Sequence, residues 1–189
     1  MWMQDKMFLK STVRKKNQNK FGSIKIFFLY LWKQNKTQMK KEQIIEKFFE
    51  DMTTEIKDEV MSSGITEPKA IVLTTDGDGD YCICGTILPS SFDKEMSIEN
   101  MMMVKSIIKL FIQQVISDGH TIHAVIHSEF IESWNDTGEH LFLFKKFWDS
   151  EDEIENNKNI TTEFLKINRN GVFVSDDGEL VHDIELEKV

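Results

Sequence analysis

Apolar residues recur at steps of three and four through Ile44, Ile45, Phe48, Phe49, Met52, Ile56 and Val60, drawing one stripe along a helix from about residue 40 to 62. Gly64 ends it and Pro68 follows. Lys69-Ala-Ile-Val-Leu-Thr-Thr75 is dense enough in β-branched and apolar residues to be a buried strand. Asp76-Gly-Asp-Gly-Asp80 is turn chemistry, because Asp and Gly tolerate positive φ and Asp bonds its own backbone. A second strand, Tyr81 to Leu88, returns from that turn. Pro89 to Lys94 reads as a loop, and Ser97 can cap a second helix, with Glu99 well placed at its positive end. Met102, Met103, Ile107, Leu110, Phe111, Gln114 and Val115 continue this helix, and Asp118-Gly119 stops it.

Thr121 to Ser128 is a third strand, followed by an irregular stretch from Glu129 to His140. Leu141 to Trp148 fits a buried strand or a short helix equally well, since a short apolar run has no telling period. Asp149 to Asn159 reads as a solvated acidic loop. Thr161–Ile167, Gly171–Val174 and Glu179–Leu186 close the chain as strands, with Asn168-Arg-Asn-Gly171 and Asp176-Asp-Gly178 as hairpin turns. The order helix-strand-strand-helix-strand-strand-strand predicts an α+β domain. Its mainly antiparallel sheet of five to six strands carries two main helices packed on one face, in two or three layers.

Charge divides the chain. Residues 1–41 hold eleven basic side chains against Asp5, a net +10, so the remainder carries −19 of the total −9. Met39 opens a second natural start, which predicts a basic, poorly ordered or dispensable extension over 1–38 and a single α+β domain over 39–189. Within the extension, Ser23 to Trp32 is apolar, but ten residues interrupted by Lys25 are too few to cross a bilayer as a helix. A membrane-peripheral or partner-binding role for residues 23–32 stays open. With 9 Gly, 2 Pro and 2 Cys among 189 residues, collagen, linker and disulfide-scaffold classes are excluded. Cys82 and Cys84 stand two apart on one strand, a poor disulfide geometry, which favours a reduced, cytoplasmic setting.

The aspartate-rich turn does not fit a helix-loop-helix calcium loop, whose sixth and twelfth places would fall on Tyr81 and Ile87. His120, His123 and His127 lie close together, yet in a strand His123 and His127 are roughly 13 Å apart, too far for one metal. Glu129 falls on the same strand face as His127. That pair, helped by Asp136 or His140, is the candidate centre of a metal-assisted hydrolase, with His182 a further possible helper. No G-x-S-x-G, no G-x-x-x-x-G-K-[ST] and no G-x-G-x-x-G occurs, so neither a nucleophile elbow nor a phosphate loop is predicted, and no cofactor or resident metal is expected.

A −19 body repels phosphates, so direct nucleic-acid binding by it is unfavourable. The leading expectation is a small acidic module without catalytic activity that docks a protein partner, a basic or nucleic-acid-binding host protein. Asp149, Glu151, Asp152, Glu153, Glu155 and Trp134 are its candidate binding residues, and a homodimer through a sheet edge or helix is a further possibility. From Ala70 to Trp134, a hairpin, an amphipathic helix and the strand Ala-Val-Ile-His-Ser128-Glu129 followed by Trp134 resemble a family of uncharacterised bacterial and phage proteins, which implies no activity. The element order is similar to roadblock and profilin-like folds, which implies a dimerisation or regulatory platform.

Overall fold

A computed structural model describes residues 26–29, 39–88, 98–131, 138–148 and 160–189. Two helices, α1 (Lys41–Ser63) and α2 (Ile98–Ser117), accompany seven strands: β1 (Ile26–Leu29), β2 (Lys69–Thr75), β3 (Tyr81–Ile87), β4 (Thr121–Ile131), β5 (His140–Phe147), β6 (Ile160–Val174) and β7 (Leu180–Lys188). They form one sheet in the order β1-β3-β2-β4-β5-β6-β7, antiparallel at every pairing. The α+β class and the order of elements after residue 39 agree with the sequence reading. A seventh strand comes from the basic extension, where Ile26–Leu29 pairs with β3.

The helices lie on opposite faces of the sheet, not on one. The reason is β2, which sits between β3 and β4 and is buried on both sides. Its Ile71 and Leu73 pack with Ile45, Phe48, Phe49, Met52, Ile56 and Val60 of α1. Its Ala70 and Val72 pack with Val104, Phe111, Ile112 and Val115 of α2. A continuous apolar run therefore becomes the middle of a three-layer sandwich, because alternate residues need a cover on each side.

Local chemistry sets the element ends. The Gln43 side chain accepts the Lys40 N–H at 3.0 Å at the start of α1. Gly64 closes the helix at φ +80°, with its N–H on the Val60 carbonyl at 2.8 Å. Glycine is required twice there: a Cβ would stand 2.8 Å from the Arg169 guanidinium, and the left-handed backbone disfavours side chains. In the β2–β3 turn, Asp76 Oδ1 accepts the N–H of Asp78 at 3.0 Å and of Asp80 at 2.8 Å. Asp118-Gly119 ends α2 with Gly119 at φ +89°.

One open reading about the second half is resolved and two expectations are corrected. Of the run Leu141 to Trp148, all but Trp148 belongs to strand β5, its partner strands β4 and β6 supplying the pairing that periodicity could not reveal. Glu129 to Ile131 and His140, expected to be irregular, are strand, since β4 continues through Ile131 and β5 begins at His140, while residues 132–137 lie outside the described residues. Asn168-Arg-Asn-Gly171 is no hairpin turn. It is a bulge inside one long strand, where the register with β7 shifts between Arg169 and Gly171 and leaves Asn170 unpaired. The tight turn falls at Ser175–Glu179, with Gly178 at φ +86°. Beside the bulge the Arg169 guanidinium donates to the Gly64 carbonyl at 2.5 Å and bonds Glu139, tying β6 to the end of α1 and the approach to β5.

Candidate functional site

The register of β4 decides what its histidines can do. A bulge opposite Leu73/Thr74 pairs Ala124 with Leu73 and Ile122 with Thr74, so His123 is the extra residue. Its Nε2 lies 3.0 Å from the Thr75 hydroxyl and its ring 5.5 Å from that of Tyr81, which packs on the α1-side core. Burial, with Lys41 assisting, pushes the His123 pKa down, so this ring stays neutral at physiological pH. His120 follows α2 and places Nδ1 3.4 Å from the Thr74 hydroxyl. His127 pairs with Ala70, whose side chain belongs to the α2-side core, and so faces away from His123. The three imidazoles are thus scattered, as an extended chain requires, with the bulge sending His123 and His127 to opposite faces.

His127 and Glu129 do come together. An imidazole N–H at Nε2 meets Glu129 Oε1 at 3.0 Å, and the pair is half-buried on the imidazole side and nearly fully buried on the carboxylate side. Across the ladder, Phe144 stands opposite His127 and Phe142 opposite Glu129. The Phe144 ring stacks on the imidazole at 4.3 Å with an interplanar angle of 5°. Phe142 in turn meets Phe164 of β6 edge to face at 4.7 Å. His140 falls on this same side of β5, where its Nδ1 bonds the Gly138 carbonyl at 2.8 Å. Among the described residues no three His, Cys, Asp or Glu side chains converge so as to hold a metal ion. Asp136, Trp134, Asp149, Glu151, Asp152, Glu153 and Glu155 lie outside the described residues. Cys82 and Cys84 are free thiols; burial pushes Cys84 up to about 11 and also raises Cys82, which makes both weak nucleophiles.

A second surface escaped the sequence reading altogether. Past the bulge, the β6–β7 hairpin leaves Val172, Phe173, Val174 and Leu180 exposed, Phe173 at 55% and Leu180 at 68%. Val174 pairs with Leu180 and Val172 with His182, so these four share a side, while Phe173 and Val181 share the other. His182 already abuts Gly64 at the end of α1, and the apolar tip projects beyond it. From Ser175 to Val189 six carboxylates stand against Lys188, a net −5 along the outermost strand. The signal available beforehand was the Val172-Phe-Val174 triplet, whose three consecutive apolar residues put apolar side chains on both faces of a strand that had to find a cover on each.

Searches against protein families, curated proteins and solved structures find no match to this chain. No helix among the described residues is long and apolar enough to cross a membrane.

Proposed function

We propose that this chain is a protein-binding module that captures a basic, extended segment of a partner protein along the β7 edge and the β6–β7 hairpin tip. The observation that carries the reading is the union of a strand edge that is unpaired among the described residues, an apolar tip and a −5 charge in one hairpin. An edge strand offers a row of free backbone donors and acceptors, and strand addition uses them for affinity. Charged residues on an edge also guard against self-pairing. Such a guard accounts for Asp183, Glu185 and Glu187, but it does not account for Val172, Phe173, Val174 and Leu180 being left in water. Like charge disfavours a second copy at this edge, and a lysine-rich strand removes that repulsion while its apolar residues cover the tip.

The test uses a fluorescent octapeptide of alternating Val and Lys, read by anisotropy with the full chain. Saturable binding is expected. It should weaken steeply towards roughly 1 M salt, where screening acts within about 3 Å, and it should fail with Phe173→Asp. Equal binding of an alternating Val and Glu peptide, or binding indifferent to salt, would overturn the proposal.

A further inference from the structure

The sheet is defended differently at its two ends. β7 carries Asp183, Glu185, Glu187 and Lys188, whereas β3 holds no charged residue and no proline over its seven positions. Sheets blunt their edges with charge, with proline or with a covering segment. At β3 the first two devices are missing, which leaves β1 as the cover among the described residues. The register shows how partial that cover is. The Leu88 N–H bonds the Pro68 carbonyl at 2.7 Å, so Leu88 turns its backbone groups towards the β2 side, and by alternation Thr86, Cys84 and Cys82 do the same. Tyr81, Ile83, Gly85 and Ile87 therefore turn theirs to the outer edge. β1 has four residues, and its Phe27 and Leu29 stand opposite Gly85 and Ile83. In this register β1 does not reach Tyr81 or Ile87.

A strand that fits all four outward residues is the β3 of a second copy. Laid antiparallel about Cys84, Tyr81 meets Ile87 of the second copy and Ile83 meets its Gly85, so that outward residue faces outward residue at every pair. Each such pair exchanges two N–H···O bonds, so β3 on β3 makes about eight where β1 makes about four. No like charges are opposed along the strand. We infer that the outer edge of β3 is a self-association surface, held closed in cis by β1 and opened to the β3 of a second copy when β1 leaves. Being part of the same chain, β1 competes at an effective concentration on the order of millimolar, which keeps the intact chain monomeric at micromolar concentrations. This edge and β7 lie at opposite ends of the sheet, so either reading can fail alone. Salt tells them apart: screening relieves repulsion between two bodies of −19 and tightens the dimer, but weakens a basic strand on β7.

Sedimentation equilibrium on the full chain, at roughly 10 μM, is the test. The wild type should be a monomer. Phe27→Pro with Leu29→Pro removes both N–H donors that β1 turns to β3, and this double variant should self-associate at least about tenfold more tightly, reaching twice the monomer mass. Phe27→Pro alone should shift association the same way by less. Ile87→Pro lies beyond β1, at 37% exposure and with its N–H outward, so it spares the β2 ladder. Added to the double variant, it takes one donor from each end of the paired strands and should restore the monomer. Deuterium exchange reads the same event at single residues. The Ile87 amide should exchange fast in the wild type and slowly in the dimer, while slow amides at Ile71–Leu73 report an intact core in both. A double variant that stays monomeric with those core amides slow would overturn the inference, and so would a dimer indifferent to Ile87→Pro or one whose Ile87 amide still exchanges fast. Should two prolines loosen the core amides, Phe27→Pro alone decides by the same readouts.

Discussion

The two ends of the sheet obey opposite rules. β2, β3 and β4 lie between two helices, and β2 carries five consecutive buried residues from Ala70 to Thr74. β7 alternates instead: Ile184 and Leu186 pack towards α1 while Glu185 and Glu187 face outward, and beyond the Arg169 bulge even that one-sided cover stops. The contrast teaches that coverage, and not strand propensity, separates core from surface here. Val172-Phe-Val174 is as β-prone as Ile71-Val-Leu73, yet one triplet is exposed and the other is sealed.

The contrast is tested first where it is largest. Phe111→Ala removes a fully buried ring from the α2-side core and should lower unfolding free energy by about 3–5 kcal/mol in chemical denaturation. If the open hairpin is as described, Phe173→Ala measured the same way should cost under about 0.5 kcal/mol. Equal losses at the two sites would abolish the distinction between the two ends.

Next in size is the joint between the regions. Gly64→Ala forces a Cβ against Arg169 at a left-handed backbone and should cost about 1–3 kcal/mol. Arg169→Ala relieves the contact, so the double variant should lose less than the sum of the single ones. Strict additivity in that cycle would remove Arg169 as the clamp between α1 and β6.

A smaller effect separates the ion-paired α1 side from the rest. Burial raises the Glu163 pKa, but Lys57 at 2.6 Å and Lys145 at 3.4 Å outweigh it and hold the carboxyl below its usual range. A depressed folded-state pKa contributes stability that is present above the unfolded value of about 4.3 and is lost as pH falls through the folded one. Thermal melts should therefore show the wild type losing its margin over Glu163→Gln, about 1 kcal/mol, as pH drops below that value. A margin that grows in acid would show that the lysines do not stabilise the carboxylate. Smallest of all, backbone amides of 171–174 should exchange with deuterium faster than those of Ile71–Leu73, whose strand is paired on both sides.

Much of the fold was readable because it is written locally. The α1 stripe from Ile45 to Val60, the Asp76–Asp80 turn and the Gly119 stop each depend on residues within a turn or two of one another. The bounds of β2 were readable for the same reason. Asn168-Arg-Asn-Gly171 misled because Asn-Gly chemistry suits a bulge as well as a hairpin, and only β7 running alongside distinguishes them. Of the candidate site, the His127–Glu129 pair was legible from the alternation of one strand. Its Phe142, Phe144 and Phe164 neighbours were not, since they come from strands whose pairing partners lie well outside any local window.

From the chain alone came the helices, the central strands, the scattering of the imidazoles and the split between a basic start and an acidic body, all consequences of backbone preference and residue charge. Tertiary structure decided which helix covers which face, that a bulge sends His123 and His127 to opposite sides, and that one hairpin stands uncovered. Those outcomes depend on which distant segments arrive as neighbours, because burial is a property of what lies on the other side of a residue and no residue encodes that by itself.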